Sequence, residues 1–263
     1  SRDEEEVAGY AILMEMIFKN WEHLTLTENH IQQLHGVLLK FSNKDERHRG
    51  RYKTLANHVE AFGPDGQSLG VVFETATPFE TPFQMAELVV QTREALESGM
   101  VHPLLTIAAF IVRFLAIHPF QDGNGRLSRA LTTLLLLRAG YSYVPYASLE
   151  SIVEENKESY YLALRRTQGT LKGDAPDWEP WVVFFVRSLH TQKTRLERKI
   201  EREKLMEGDL PELSVRILEL AREHGRITTP QILKLTGAKP TVVRNRLSEL
   251  VERGLLNRHG KAR

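Results

Sequence analysis

Apolar residues recur every three or four positions along most of the chain, which is the spacing of one face of an α-helix. In residues 8–21, for example, Tyr10, Leu13 and Ile17 fall on one side of the predicted helix. Thr27 is a typical N-cap for the helix that follows it. The same spacing predicts further helices over residues 27–39, 85–98, 104–117, 127–139, 149–167, 178–189 and 190–207. The first 212 residues are therefore predicted to be mostly helical.

Two stretches depart from the helical pattern. Residues 42–68 are polar and rich in glycine, which predicts irregular structure. Residues 71–83 alternate β-branched and aromatic side chains around Pro78 and Pro82. That alternation predicts a short exposed hairpin or an edge strand, because proline is confined to the edges of sheets. The predicted fold class is thus all-α with one small β element.

The last 51 residues differ from the rest in charge. Residues 213–263 carry 11 Lys and Arg against 4 Asp and Glu, a net charge of +7, whereas the remaining residues sum to −6. Helical spacing there predicts helices over residues 213–224, 229–235 and 240–252, followed by a strand over residues 255–257. Three short helices with a tight turn before the third form a helix-turn-helix pattern. We therefore divide the chain into residues 1–190, a connecting helix over 191–212, and a small domain over 213–263.

Composition excludes several classes of protein. The chain has 263 residues, of which 41% are hydrophobic and 26% charged, a mixture typical of globular proteins. It contains no cysteine, which rules out disulfides, thiol nucleophiles and cysteine metal sites. No apolar run approaches the roughly 20 residues that span a bilayer, and the acidic first residues do not form a secretory signal. We expect a cytoplasmic protein that does not associate with membranes.

The chemistry is concentrated in residues 118–129, which read HPFQDGNGRLSR. Gly123, Asn124 and Gly125 lie just before a predicted helix, where backbone N–H groups and the helix dipole favour an anion. Arg126 and Arg129 are three residues apart and share one helix face, which favours a polyphosphate.

The other polar side chains of the segment complete this interpretation. Asp122 beside a phosphate requires a cation between them, and Mg²⁺ with mostly phosphate and water ligands meets that need. His118 can accept a proton from a hydroxyl nucleophile. Each residue also has an ordinary interpretation, as a capping histidine, a turn or a solvated helix face. Their combination within twelve residues nevertheless predicts a phosphoryl or nucleotidyl transfer site.

This segment resembles a known family. HPFQDGNGRLSR matches the Fic signature HPFxDGNGRxxR at every fixed position. The resemblance covers residues 7–190 and implies a helical fold that transfers AMP from ATP to a hydroxyl side chain of a target protein or of the chain itself. It implies that His118 is the base and that Asp122 binds Mg²⁺. The implied phosphate contacts are made by Gly123, Asn124, Gly125, Arg126 and Arg129.

Weaker resemblances lie outside the signature. Residues 77–82 are similar to the family's target-docking flap, which implies docking roles for Thr77, Pro78, Phe79 and Glu80. Residues 155–161 are similar to its nucleotide-side helix, and Tyr160 and Tyr161 are either adenine contacts or ordinary helix packing. The family's inhibitory pattern, S/T-x-x-x-E-G/N, occurs formally at residues 151–156, where we interpret it as chance. We therefore expect no inhibitory glutamate and an Arg129 that is available to the γ-phosphate.

The C-terminal domain resembles winged helix-turn-helix domains. Arg244 and Arg246 lie near the start of the predicted recognition helix, where side chains reach DNA phosphates and base edges. The alternative is a small interaction or dimerisation module with a solvated basic face. Two other functions stay open: a DNA-binding regulator whose Fic body only senses nucleotide, and a Fic enzyme that moves or removes a different phosphate-containing group. A homodimer is compatible with all of them.

Overall fold

The computed structural model describes residues 2–42, 46–62, 68–207 and 210–259. The chain forms two compact units, Ser1–Lys193 and Thr194–Arg263. The elements of the described residues are α1 (Arg2–Asn20), α2 (Glu28–Leu38), β1 (His58–Phe62), β2 (Ser68–Glu74), α3 (Thr81–Ser98), α4 (Pro103–Ile117), α5 (Asn124–Arg138), α6 (Leu149–Glu155), α7 (Lys157–Gln168), α8 (Glu179–Glu207), α9 (Glu212–His224), α10 (Thr229–Thr236) and α11 (Pro240–Glu252). No described helix is both long and apolar enough to cross a bilayer.

The helix α4 is the centre of the first unit. It is apolar on nearly every side, and Ile107, Phe110 and Phe114 are fully buried. A helix of this kind must be surrounded by others, and α3, α5 and α7 pack against it. Trp181 of α8 joins this core by donating its indole N–H to the Ala108 carbonyl at 2.7 Å. The loop that connects α4 to α5 therefore starts and ends in the interior.

The helices α1 and α2 approach each other unusually closely at Gly9. A Cβ atom at this position would lie 2.1 Å from the Leu38 carbonyl oxygen, far inside van der Waals contact. Only glycine fits there, so the crossing point fixes where α1 lies along α2. Glu6 and Tyr10, which flank Gly9 in the sequence, are thereby carried to the N-terminal end of α5.

The β element differs from its prediction. Its two strands, β1 and β2, are antiparallel and pair from His58 with Glu74 to Phe62 with Ser68. The predicted irregular stretch thus contains the first strand of the hairpin. Of the two alternatives for residues 71–83, the hairpin is wrong, and the strand is confirmed only for residues 71–74, which belong to β2. Residues 75–80 form a turn, and α3 begins at Thr81 because Pro82 carries the backbone angle of a first helical turn.

Two helix predictions also need correction. The predicted helix 149–167 is interrupted at Asn156, whose side-chain amide donates to the Ile152 carbonyl at 2.8 Å and closes the end of α6. The predicted helices 178–189 and 190–207 are one continuous helix, α8. No glycine or proline separates them in the sequence, so nothing there ends the helix.

The second unit packs α9, α10 and α11 around a small apolar cluster. Its most buried members are Ile217, Ile232, Val243 and Leu250. The predicted strand at residues 255–257 is absent from the described part of this unit. The N–H groups of Leu255 and Leu256 instead donate to the Leu250 carbonyl at 2.9 and 3.2 Å, closing the C-terminal end of α11 after Gly254.

Candidate active site

The loop of residues 118–123 begins with an unusual backbone conformation. His118 has φ 53° and ψ 60°, and it is the one non-glycine residue with positive φ in the described ranges. This left-handed conformation costs roughly 1–2 kcal/mol for a residue with a Cβ atom, so surrounding contacts must hold it. The His118 N–H still donates to the Phe114 carbonyl at 2.9 Å, while the chain turns away from α4.

The far end of the loop is held by Asn124. Its side-chain oxygen accepts from the Phe120 N–H at 2.9 Å, and its side-chain amide donates to the Phe120 carbonyl at 2.7 Å. The side chain is fully buried. The Asn124 side chain therefore shapes the loop, and only its backbone N–H, in the first turn of α5, is left to bind an anion.

His35 supports the middle of the loop from α2. Its ring stacks on Phe120 with centroids 3.8 Å apart. Its Nε2 donates to the Asp122 carbonyl at 3.0 Å, and its Nδ1 accepts from the Gly50 N–H at 3.0 Å. These two partners of His35 are 87 and 15 residues away in the sequence. The only signal for this role was a polar side chain at an apolar position.

Lys53 and Asn57 support the loop from the opposite side, and the sequence did not indicate either. The Lys53 ammonium donates to the Asn57 side-chain oxygen, the Thr75 hydroxyl and the Ile117 carbonyl, at 2.8, 3.0 and 3.0 Å. The Lys53 backbone N–H donates to the Pro119 carbonyl at 2.8 Å. A short segment between α2 and β1 thus contacts the loop through several polar groups.

The environment of His118 favours the neutral imidazole. Burial lowers the pKa of His118, and the Lys53 ammonium lowers it further, to about 4, against the opposing effects of the Leu115 backbone and the Asp122 carboxylate. At neutral pH the ring is therefore unprotonated. A neutral imidazole can accept a proton from a hydroxyl group, which is what a general base must do.

The start of α5 forms the predicted anion site. Gly123 has φ 79°, which lets the chain enter the helix so that the first N–H groups, those of Asn124, Gly125 and Arg126, have no acceptor within the helix. The Arg129 guanidinium lies close to this end of α5. A Cβ atom added to Gly125 would be 3.5 Å from it. Backbone donors and guanidinium groups therefore converge at one helix N-terminus.

Both arginines of this site are already ion-paired with carboxylates. Arg126 lies 3.0 Å from Glu6 of α1 and 3.6 Å from Asp122. Arg129 is paired with Glu150 of α6. The expectation that Arg129 is available is therefore wrong, and the partner is not Glu155 of the formal inhibitory pattern. Anion binding at this site requires exchange of carboxylate contacts for anion contacts.

Two tyrosines surround the Arg129–Glu150 pair. The Tyr10 hydroxyl is hydrogen-bonded to Glu150, and burial together with that carboxylate raises the pKa of Tyr10. Burial likewise raises the pKa of Tyr160 to about 12, although a hydrogen bond with Arg129 opposes the shift. Tyr160 is 5% exposed and packs on Trp181 and Phe184 with centroids 5.7 Å apart, whereas Tyr161 is 55% exposed. The two predicted adenine contacts thus face different environments.

Asp122 is an acidic residue that directly precedes Gly123, the N-cap of α5. Its Oδ1 accepts from the Gly123 N–H at 2.6 Å. Within the described ranges, no group of three or more His, Asp or Glu side chains converges as a metal site. A cation held by the protein alone does not fit this donor set, but one Mg²⁺ held mainly by phosphates and water does, because it needs only one carboxylate.

The remaining predicted site residues lie outside the loop. In the turn of residues 75–80, the Glu80 carboxylate accepts from the Thr77 N–H at 2.9 Å and from its hydroxyl at 2.7 Å. Pro78 and Phe79 lie between them, and the Phe79 side chain is 80% exposed. In α11, Arg244 is exposed, while Arg246 is half-buried and paired with Glu249 at 2.7 Å.

Comparison with known protein families identifies two matches. The Fic/DOC family model matches residues 25–136, which include the whole candidate site apart from α1, α6 and α7. A second model, described as a bacterial protein of unknown function (DUF977), matches residues 203–263. This second match is consistent with an additional C-terminal domain.

Curated relatives carry the name protein adenylyltransferase Fic. The protein of that name from Culex quinquefasciatus is 40% identical over 67 residues, which are 26% of this chain and 12% of the relative. The one from Drosophila willistoni is 26% identical over 238 residues, covering 88% of this chain and 41% of the relative. The chain thus spans less than half the length of these relatives.

Solved structures show the same fold. A Fic-domain-containing signalling protein from Bacteroides thetaiotaomicron is 27% identical, with a TM-score of 0.56 over 74% of this chain and 73% of its own. A Fic family protein from Desulfovibrio desulfuricans is 22% identical, with a TM-score of 0.57 over 94% of this chain and 68% of its own. The second similarity concerns the fold alone.

Proposed function

Residues 25–136 match the Fic/DOC family model, and on that premise we propose that the chain transfers AMP from ATP to a hydroxyl side chain of a protein. The observation that carries the proposal is the loop between α4 and α5. It places a neutral, half-buried imidazole at one end and a helix N-terminus with two arginines at the other. The names of the curated relatives support the transferase class.

In the proposed reaction, His118 accepts the proton of the attacking hydroxyl. The new bond forms between that oxygen and the α-phosphorus, and the bond to the β-phosphate oxygen breaks, so pyrophosphate leaves. Negative charge grows on the α-phosphate oxygens, where the preorganised N–H groups of α5 stabilise it. Arg126 and Arg129 bind the β- and γ-phosphates after they exchange their carboxylate partners.

Asp122 would hold the Mg²⁺ ion together with the phosphates. The ion, when bound, neutralises phosphate charge. The Asp122 side chain is oriented for this task by the Gly123 N–H, which fixes one of its oxygens. The protein to be modified would dock beside Thr77, Pro78, Phe79 and Glu80, where the exposed Phe79 ring lies 5.8 Å from that of Phe83.

The direct test of the proposal is incubation with ATP that is labelled at the α-phosphate, in the presence of Mg²⁺. Label should appear on the chain itself or on proteins of a cell lysate, and it should be absent when the label is at the γ-phosphate. Protein that acquires the γ-label instead would show a kinase-like reaction and would overturn the proposal.

The Glu150 carboxylate competes with ATP for Arg129, which gives a testable consequence. Glu150→Gln removes the charge but keeps the shape and a hydrogen-bonding oxygen for Tyr10. We expect ATP affinity to rise by about 3- to 10-fold, because a partly buried charge pair no longer has to be broken, and such pairs contribute on the order of 1 kcal/mol or more. Calorimetric titration with ATP measures this.

The matched control for this experiment is Glu155→Gln, five residues further along the chain. Glu155 is exposed and is not the partner of Arg129. The Glu155→Gln substitution should leave ATP affinity unchanged. Equal behaviour of the two variants would mean that the Arg129–Glu150 pair does not compete with nucleotide.

A second candidate function, a DNA-binding regulator that senses nucleotide, is favoured by one observation. Arg244 is exposed near the start of α11, in a groove of about 1910 Å³ that is lined by both arginines and glutamates and by Thr228. Exposed arginines near the start of a helix that follows a tight turn are suited to DNA phosphates and base edges.

DNA binding distinguishes Arg244 from Arg246. Arg244→Ala should weaken binding of mixed duplex fragments at low salt by about 5- to 150-fold, since one such contact contributes about 1–3 kcal/mol. The Arg246 guanidinium is paired with Glu249, so Arg246→Ala should change the affinity for DNA little. Fluorescence anisotropy at several salt concentrations measures both, and affinity should fall steeply as salt rises. A parent chain that binds no duplex would leave the second unit as a protein-binding module.

A further inference from the structure

The carbonyl groups of residues 117–120 all face one segment of the chain, residues 53–57. The Ile117 carbonyl accepts from the Lys53 ammonium at 3.0 Å, and the Pro119 carbonyl accepts from the Lys53 backbone N–H at 2.8 Å. The Asn57 side-chain amide donates to the Phe120 carbonyl at 2.8 Å and lies 3.5 Å from the His118 carbonyl. These contacts surround the left-handed His118 backbone on both sides.

The Lys53 side chain is buried in a way that requires an explanation. The residue is 3% exposed, and burial lowers the pKa of its ammonium to about 8 against the opposing attraction of Glu80. Taking an ammonium out of water is costly, and a well-packed apolar side chain would often serve stability as well or better. The three acceptors around Nζ compensate for the cost, and one of them is a carbonyl of the candidate catalytic loop.

We propose that Lys53 is a positioning residue, which holds the His118 backbone in its left-handed conformation so that the imidazole meets the acceptor hydroxyl. The proposal rests on the proposed function for the role of His118, and on the contacts of the 53–57 segment for the rest. Asn57 is the second member of the arrangement, because it accepts from the Lys53 ammonium and donates to the same loop.

The electrostatic surroundings agree with this role. The Lys53 ammonium disfavours the imidazolium form of His118, whereas Asp122 favours it, and Glu80 in turn faces Lys53. Lys53 thus supports the proton-accepting form of the base in addition to holding the backbone that carries it. The anion site at the start of α5 has its own support from Asn124 and His35.

The experiment replaces Lys53 in the full chain and separates chemistry from binding. Lys53→Met keeps the apolar stem and removes the ammonium. We expect kcat to fall about 10- to 100-fold while KM for ATP stays within about twofold, since misplaced catalytic groups lose rate rather than affinity. The amides of His118 and Phe120 should exchange with solvent faster, as measured by hydrogen exchange. Lys53→Arg, which keeps the charge and donors, should recover part of kcat.

The matched control is Lys40→Met, since Lys40 is an exposed lysine with its ammonium 5.8 Å from the Phe41 ring. It should leave kcat and the exchange of the loop unchanged. A Lys53→Met variant with unchanged loop exchange, or with an equal loss of ATP affinity, overturns the proposal. If Lys53→Met does not fold, Thr75→Val decides. It removes one of the three acceptors of Lys53, together with the hydrogen bond that the Thr75 hydroxyl donates to the Asn57 carbonyl, and should give a smaller loss of the same kind. Unchanged exchange of the loop in Thr75→Val would overturn the proposal.

Failure of this inference is distinguishable from failure of the proposed function. A parent chain that transfers no AMP overturns the proposed function and, with it, the catalytic part of the role of Lys53. The exchange measurement does not depend on activity. Faster exchange at His118 and Phe120 in Lys53→Met would then still show that the 53–57 segment holds the loop, whereas unchanged exchange would overturn both parts.

Discussion

Replacement of His118 by alanine is expected to reduce the rate of AMP transfer by about 10²- to 10⁴-fold, which is the usual contribution of a general base. ATP affinity should stay within about twofold, because the N–H groups of α5 and the two arginines are untouched. The His118 imidazole is half-buried, and its lowered pKa keeps it neutral and able to accept a proton. Initial rates with α-labelled ATP and calorimetric titration with ATP measure the two quantities separately.

The His118 experiment needs a control for the backbone. Alanine does not favour a left-handed conformation, whereas asparagine adopts it more readily, so His118→Asn removes the base with less strain. Both variants should be equally inactive if the imidazole is what matters. An asparagine variant that transfers AMP at the parental rate would exclude His118 as the base. In the parent, kcat/KM should fall on the acid side near pH 4 rather than 6.5, because protonation below the pKa of His118 removes the base.

Replacement of Asp122 should have the second largest effect, and it should act on nucleotide binding. In Asp122→Ala we expect the affinity for ATP with Mg²⁺ to fall by about 10-fold or more, since an oxygen ligand of the ion is lost. Addition of Mg²⁺ should then no longer strengthen ATP binding. Calorimetric titrations with and without Mg²⁺ on parent and variant give the comparison.

Asp122 also accepts a hydrogen bond from Gly123, so alanine changes the loop as well as the charge. Asp122→Asn keeps an oxygen for that N–H and removes only the charge. If both variants lose the response to Mg²⁺, the carboxylate is the ligand. If the asparagine variant retains the full response, the Asp122 side chain serves the loop conformation instead.

The site residues that could be predicted from the sequence all lie in one short segment of the chain. His118, Asp122 and the two arginines lie within twelve residues, so their proximity follows from chain connectivity and one helix start. The central helices were predictable for a similar reason, since α4 is apolar on nearly all sides and α5 follows it after a short loop. The N-cap at Thr27 is confirmed by the hydrogen bond from the His30 N–H at 3.1 Å.

What could not be predicted are the partners that come from distant segments. His35, Lys53 and Glu150 reach the loop or its arginines from three separate elements, and no local spacing announces such pairing. Each of these polar residues lies in a stretch of sequence that carries no recognisable motif. Their roles follow only from how α2, the 53–57 segment and α6 pack around the loop. The position of the hairpin was missed because its first strand has only five residues and lies in a polar stretch that is rich in glycine.

The close approach at Gly9 has a practical consequence for anyone who shortens this protein. Because the crossing with Leu38 fixes α1, one cut after α1 removes Glu6 and Tyr10 together. Arg126 then loses a carboxylate partner, and Glu150 loses the phenol that binds it. A trimmed form therefore differs from the longer chain in the charges around the candidate site as well as in length, and nucleotide affinities measured on it do not transfer to the longer chain.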